Sequence, residues 1–182
     1  HQKVLERIVK PMHESLSRMD TPYRGVLYVG LMVDENDDPF VVEFNVRFGD
    51  PECQVTLPLI ASDVGGLLFA AATDSLDQYS VSFHDKHCLT VVLASEGYPQ
   101  SAKKGRVILG AELAGDADDA WVSHAGTGTD DSNTLISTGG RVLATTAIAP
   151  SLAEARILSY QRLGMISLQG SHYRNDIGHR AL

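Results

Sequence analysis

This sequence of 182 residues is poor in the features that mark secreted, membrane-spanning or nucleic-acid-binding chains. Cysteine is nearly absent: Cys53 and Cys88 are the only two and stand in unrelated contexts, so two reduced thiols in a cytoplasmic setting are expected rather than a disulfide. No apolar run approaches the roughly 20 residues of a membrane span, so no membrane partner is expected. The opening HQKVLERIVK is charged throughout and does not read as a signal peptide. Positive charge is short as well. Fifteen Lys and Arg against 23 Asp and Glu give a net charge of −8, whereas a broad nucleic-acid footprint needs clustered cations. No nucleic acid is therefore expected as a partner, and an anionic ligand would have to be held by a few local cations or by bound metal. Repeats and low-complexity tracts are missing too.

What is present is the balance of a soluble globular chain, 43% hydrophobic and 21% charged, long enough for one sizeable domain or two small ones. The first residue is His1 and opens directly into a helical pattern, so the chain reads as cut from something longer. Leu5, Ile8, Val9, Met12, Leu16 and Met19 have the spacing of an amphipathic helix over 2–19, with a kink or restart expected at Pro11. GVLYVGLMV (25–33) reads as a buried strand, DENDDP as a turn and FVVEFNVRF (40–48) as the returning strand of an antiparallel hairpin. From Cys53 to Tyr79 the pattern is helical and interrupted, with Ser62 or Asp63 as the cap of a second segment. After Ser80–Lys86 the character changes to short β segments: CLTVVLAS, RVILGAEL, AWVSHAG and TLISTGGRVLATTAI, separated by turns such as EGYP and GDADD. SLAEARILSYQRLG reads as a helix between Ser151 as N-cap and Gly164 as C′, and MISLQ as a last short strand. The whole is α+β, with a boundary expected between residues 1–82 and 83–182.

The stretch VVEFNVRFGDPE (41–52) carries the chemistry. In a strand, Val42, Phe44, Val46 and Phe48 fall on one face and Glu43, Asn45 and Arg47 on the other. A solvated outer face gives the same alternation. This polar face, however, lines up a carboxylate, an amide and a guanidinium. Carboxylate and amide oxygens are hard ligands suited to Mg²⁺ or Mn²⁺, and magnesium commonly takes only one or two protein ligands beside water and substrate phosphates. Arg47 suits a carboxylate or phosphate beside such an ion. Gly49 lets a backbone approach a ligand, and Asp50 and Glu52 add acceptors.

The longer string GVLYVGLMV…VVEFNVRFGDPECQVTLPLI resembles the C-terminal half of an ATP-grasp domain, and specifically that of the phosphoribosylamine–glycine ligase family. The likeness continues through LASEGYP, KGRVILG, SHAGT, STGGRVLATTA and YRNDIGHRAL, and so covers nearly the whole chain. It implies a rudimentary hybrid-motif type of β-rich C-terminal domain over 83–182, following the end of the ATP-grasp domain over 1–82. It also implies Glu43 and Asn45 as ligands of the Mg²⁺ or Mn²⁺ that bridges ATP phosphates, and Arg47 as the catalytic cation, with Gly49 and Asp50 beside it at the substrate. The implied small-molecule partners are ATP, glycine and 5-phosphoribosylamine. The flap over ATP and the lysines that hold nucleotide precede residue 1 in this family, so an N-terminal part of the same protein is the implied macromolecular partner and the isolated chain is expected to be inactive. Another ATP-grasp ligase, such as a biotin-dependent carboxylase, and a non-catalytic binding fragment are the alternatives. Cys53 for Thr, Ser123 for Phe and the Gly65–Gly66 pair depart from the family's usual pattern without removing a ligand.

Four further clusters have a bland reading beside a functional one. Gly139, Gly140 and Arg141 form a tight turn or a phosphate cradle. His124 is a hydrogen-bonded histidine or a catalyst. His84 and His87 lack partners at zinc spacing. Lys103, Lys104 and Arg106 form a solvated loop or face a phosphoribosyl group.

Overall fold

The computed structural model describes residues 1–114 and 117–182; the first two residues of the expected GDADD turn lie outside them. The chain divides into two compact units, 1–52 with 62–82, and 53–61 with 83–182.

The first unit begins with α1 (Gln2–Val4), a π-helical segment (Leu5–Val9) and α2 (Lys10–Ser17), which follow one another without a break. Where a kink or restart is expected at Pro11, the helix runs on, and this widened π segment stands just before it. Proline has no N–H, and its ring crowds the carbonyl four residues back, so a wider turn accommodates it. Next comes the antiparallel hairpin β1 (Tyr28–Val33) and β2 (Pro39–Asn45). Its connecting turn is held by the Asp34 carboxylate, which accepts from the backbone N–H groups of Asn36 and Asp38. Asp38 in turn pairs with Lys3 at 2.9 Å and Arg7 at 2.6 Å, and these two cations hold its carboxyl below the usual range. The DENDDP segment is therefore a hydrogen-bonded turn tied by Asp38 to the first helical residues.

Two expectations for the hairpin need correction. The sequence predicts a buried β1, yet Met32 and Val33 are 65% and 55% exposed, because this sheet has only two strands. The sequence predicts β2 through Phe48, yet it ends at Asn45, and a bulge leaves Val42 without a cross-strand partner. Beyond the bulge, strict alternation therefore covers only Glu43, Phe44 and Asn45. The unit ends with α4 (Val64–Ala72), whose N-cap Asp63 accepts from the Gly65 and Gly66 N–H groups, and a 3₁₀ turn (Leu76–Gln78).

In the second unit α3 (Cys53–Thr56) and a 3₁₀ turn (Leu57–Leu59) precede the main sheet. That sheet joins β3 (His87–Ala94), β8 (Arg141–Ala149) and β5 (Ala120–His124) in the order β3-β8-β5, antiparallel throughout. Short pairs flank it: β4 (Ile108–Leu109) with β9 (Ser167–Leu168), and β6 (Thr127–Thr129) with β7 (Leu135–Ser137). The strand expected over 106–113 is cut to two residues. Gly110 takes a φ of +80° and lies so close to the Met165 carbonyl that no Cβ fits, which turns the chain out of the sheet. α5 (Leu152–Leu163), capped by Ser151, packs on β3 and β8. Leu89, Val91, Leu93, Val142, Leu143, Ala155 and Leu163 form the core between them. Buried hydroxyls here are satisfied: Ser159 donates to the Thr145 carbonyl at 2.8 Å.

Both cysteines are free thiols. Burial pushes the Cys88 thiol from its ordinary 9.0 up to about 11, against a small opposing hydrogen bond from the backbone at Leu89. A raised folded value means that this thiol's contribution to stability is whole below the unfolded value and is lost as pH rises through the folded one. Alkylation of Cys88 at pH 8 is accordingly expected to run about a hundredfold slower in the folded protein than in urea, since thiolate is the reacting form. Mass-spectrometric mapping checks this, and equal rates would contradict it.

Candidate functional site

The candidate site is built on the hairpin and the loop that follows it, all within residues 23–52. In the ladder Tyr28 pairs with Asn45, Val29 with Phe44 and Gly30 with Glu43. Directly paired residues share a face, so Tyr28, Gly30, Glu43 and Asn45 lie on one side, and Val29 and Phe44 on the other. The Asn45 Nδ2 donates to Glu43 Oε1 at 2.9 Å, which brings the two side-chain heads together on an open surface. Gly30 makes room for this: a Cβ there would come within 3.1 Å of the Glu43 Cγ.

Arg47 is placed differently from its expectation. It lies beyond the end of β2, and its Nη1 donates to the Phe48 carbonyl at 2.8 Å, so the loop rather than the strand's alternation sets its position. Gly49 is buried, and the Glu52 side chain folds back on it so closely that a Cβ at 49 would collide with Glu52 Oε2. Asp50 is exposed and precedes a cis bond to Pro51. The structure thus unites Glu43 and Asn45 on the face, and sets Arg47, Gly49 and Asp50 in the adjoining loop.

Two tyrosines that the sequence reading did not single out bound that loop. The Tyr23 hydroxyl lies 2.8 Å from the Val26 carbonyl and 3.2 Å from the Val46 carbonyl. The Tyr28 hydroxyl donates to Glu52 Oε1 at 3.1 Å. The hydrogen bond to the Glu52 carboxylate raises the Tyr28 phenol above its ordinary value, with burial and the negative charges of Glu52 and Glu43 adding to it. The only signal in the sequence was a tyrosine two residues before a glycine in an otherwise apolar strand.

The donor set on the face is a carboxylate and an amide side by side. With the amide oxygen turned toward the carboxylate, the pair offers two hard oxygens to one ion, enough for Mg²⁺ or Mn²⁺ completed by water and phosphate. Among the described residues no group of three or more His, Cys, Asp or Glu side chains gathers as a self-sufficient cage.

The other candidates take structural places. A Cβ on Gly140 would collide with the Tyr98 ring, and one on Gly139 would meet the Gly126 Cα at 3.0 Å, so both glycines serve close packing. His124 Nδ1 is hydrogen-bonded to Thr127 Oγ1 at 3.0 Å. Lys103 and Arg106 both bind Glu96, at 2.5 and 2.6 Å, and Arg106 also donates to the Gln169 carbonyl. Among the described residues no helix is long and apolar enough to cross a membrane.

Comparison with known proteins gives a consistent picture. The family described as Phosphoribosylglycinamide synthetase, C domain, matches residues 88–180, and the ATP-grasp (A) domain of the same synthetase matches 1–53. A phosphoribosylamine–glycine ligase of Mycobacterium leprae is 44% identical over 181 residues, covering 99% of this chain and 41% of its own length. A chloroplastic phosphoribosylamine–glycine ligase of Arabidopsis thaliana is 41% identical, over 98% of this chain and 34% of its own. The chain therefore spans about two fifths of the length of such relatives. The crystal structure of phosphoribosylamine–glycine ligase from Thermotoga maritima superposes on 96% of this chain with a TM-score of 0.79 at 29% identity, using 42% of that protein. A biotin carboxylase domain from Hydrogenobacter thermophilus shares the fold at 16% identity and a TM-score of 0.59.

Proposed function

The chain belongs to the phosphoribosylglycinamide synthetase family, and on that basis we propose that it is the C-terminal part of an ATP-dependent ligase joining glycine to 5-phosphoribosylamine. Residues 1–82 would end the ATP-grasp domain and 83–182 would form the synthetase C domain, in a cytoplasmic setting. The observation that carries the reading is the convergence of Glu43 and Asn45 on one open hairpin face, with Arg47 in the loop that leaves it.

Glycine's carboxylate is a poor electrophile at neutral pH. In the proposed reaction one of its oxygens attacks the γ-phosphorus of ATP, releasing ADP and leaving glycyl phosphate. The amine of phosphoribosylamine then attacks the acyl carbon, expelling phosphate and losing a proton to give glycinamide ribonucleotide. Glu43 and Asn45 would hold Mg²⁺ or Mn²⁺, which when bound neutralises charge on the transferring phosphoryl group. Arg47 needs only to exchange the Phe48 carbonyl for an anion to meet glycine's carboxylate or the developing acyl phosphate. Gly49, buried under the Glu52 side chain, shapes the loop rather than meeting the substrate, and Asp50 would offer glycine's ammonium group an acceptor.

The test is ADP release by the complete protein with both substrates, with each withheld in turn, and with bicarbonate replacing glycine. Turnover that needs glycine and phosphoribosylamine together is expected. Turnover supported by bicarbonate alone would contradict the reading and favour a carboxylase. The 182-residue chain by itself is expected to show none, because it spans only 41% of such a relative.

A further inference from the structure

The metal or phosphate reading gives no role to Tyr28 and names Glu52 only as a further acceptor, yet the two are joined across the candidate site. Tyr28 stands on β1 directly opposite Asn45, and its hydroxyl donates to Glu52 Oε1 at 3.1 Å. Glu52 closes the loop that starts where β2 ends. Between those ends lie Arg47 and Asp50, proposed to meet glycine, and the buried Gly49. Glu52 also covers Gly49, and at the loop's other end the Tyr23 hydroxyl is shared between the Val26 carbonyl at 2.8 Å and the Val46 carbonyl at 3.2 Å. The loop is thus fastened at both ends to groups from β1 and its approach, while its middle carries the substrate-facing side chains.

We propose that Tyr28 is a positioning residue. Through Glu52 it holds the 46–52 loop in register with the Glu43–Asn45 face, so that the loop presents Arg47 to the carboxylate of the amino-acid substrate. The identity of that substrate rests on the function proposed above; the tether does not. Neutral tyrosine is the donor this contact requires. Gly49 is part of the device, because any side chain there displaces Glu52.

The experiment uses the complete protein as parent and as Tyr28→Phe, Glu52→Ala, Glu52→Gln and the double variant that combines Tyr28→Phe with Glu52→Ala, with two readouts. The first is KM for glycine against KM for ATP. Tyr28→Phe is expected to raise KM for glycine about tenfold, the scale of one hydrogen bond to a charged group, leaving KM for ATP within about twofold. Glu52→Ala should match it, the double variant should add nothing, and Glu52→Gln, which keeps an acceptor, should stay near the parent. The second readout is tryptic cleavage after Arg47, which reports loop opening whatever the substrate is. It should be accelerated about tenfold in Tyr28→Phe and Glu52→Ala alike.

Parental cleavage rates in Tyr28→Phe would overturn the proposal. So would parental KM for glycine in an active enzyme, or KM values for glycine and ATP that rise together, which would mark a general loosening of the hairpin. Faster cleavage in a protein with no glycine-dependent turnover would uphold the tether and remove the functional reading instead.

Discussion

Glu43→Gln in the complete protein is expected to lower kcat/KM for glycine-dependent ADP release by about 10²-fold or more, the scale of losing a group that stabilises transition-state charge. The substitution keeps the shape of the side chain and removes its charge. Glu43 is exposed, and glutamine still offers an oxygen to the Asn45 Nδ2, so the hairpin has no reason to rearrange. The room beside Gly30 is filled as before. The loss should therefore appear without a change in thermal stability, and raising the Mn²⁺ concentration should recover part of it. Parental kinetics in Glu43→Gln would mean that this face is only solvated.

The second large effect concerns the β-rich unit. Leu143 is fully buried in the central strand β8, where it belongs to the core made with β3 and α5. Leu143→Ala removes transfer energy and leaves a cavity that the sheet, paired on both sides of β8, cannot close by shifting one strand. A destabilisation of about 2–5 kcal/mol is expected, lowering the Tm of this unit by about 10 °C or more. Leu113, 75% exposed on a turn, is the control, and its alanine variant should cost less than about 0.5 kcal/mol. Equal effects of the two, measured by calorimetry on the same protein, would contradict the described core.

The contrast between these positions shows what the sequence made legible. In the second unit β3 and β8 were readable because they are runs of mostly β-branched and aliphatic residues, and the Ser151 cap and Gly164 stop bracket α5 plainly, whereas the short β6 carried no such signal. The pairing of Glu43 with Asn45 followed from strand alternation, since two residues separated by one must share a face. Arg47 was carried onto that face by the same rule, but the rule ends with the strand, and no residue type marks where β2 stops. The bulge at Val42 was hidden for a similar reason: it is a property of the register with β1, which one strand's pattern does not contain. Tyr28 was missed because its role depends on a partner 24 residues away, reached only when the hairpin closes. Pro11 is a sound marker of irregularity, which takes the form of a wide turn just before it rather than a kink or restart at the residue itself.

The proposed function turns on one event: the face holding Glu43 and Asn45, with its loop, brings a phosphoryl group to glycine's carboxylate. Oxygen tracing follows that event atom by atom. The complete protein is supplied with ATP, phosphoribosylamine and glycine labelled with ¹⁸O in the carboxylate, and the released phosphate is analysed by mass spectrometry. Activation of the carboxylate predicts one ¹⁸O in each phosphate formed, because the oxygen that attacked phosphorus leaves with it. Phosphate free of label, released alongside amide product, would show that glycine is never phosphorylated and would refute the proposed chemistry.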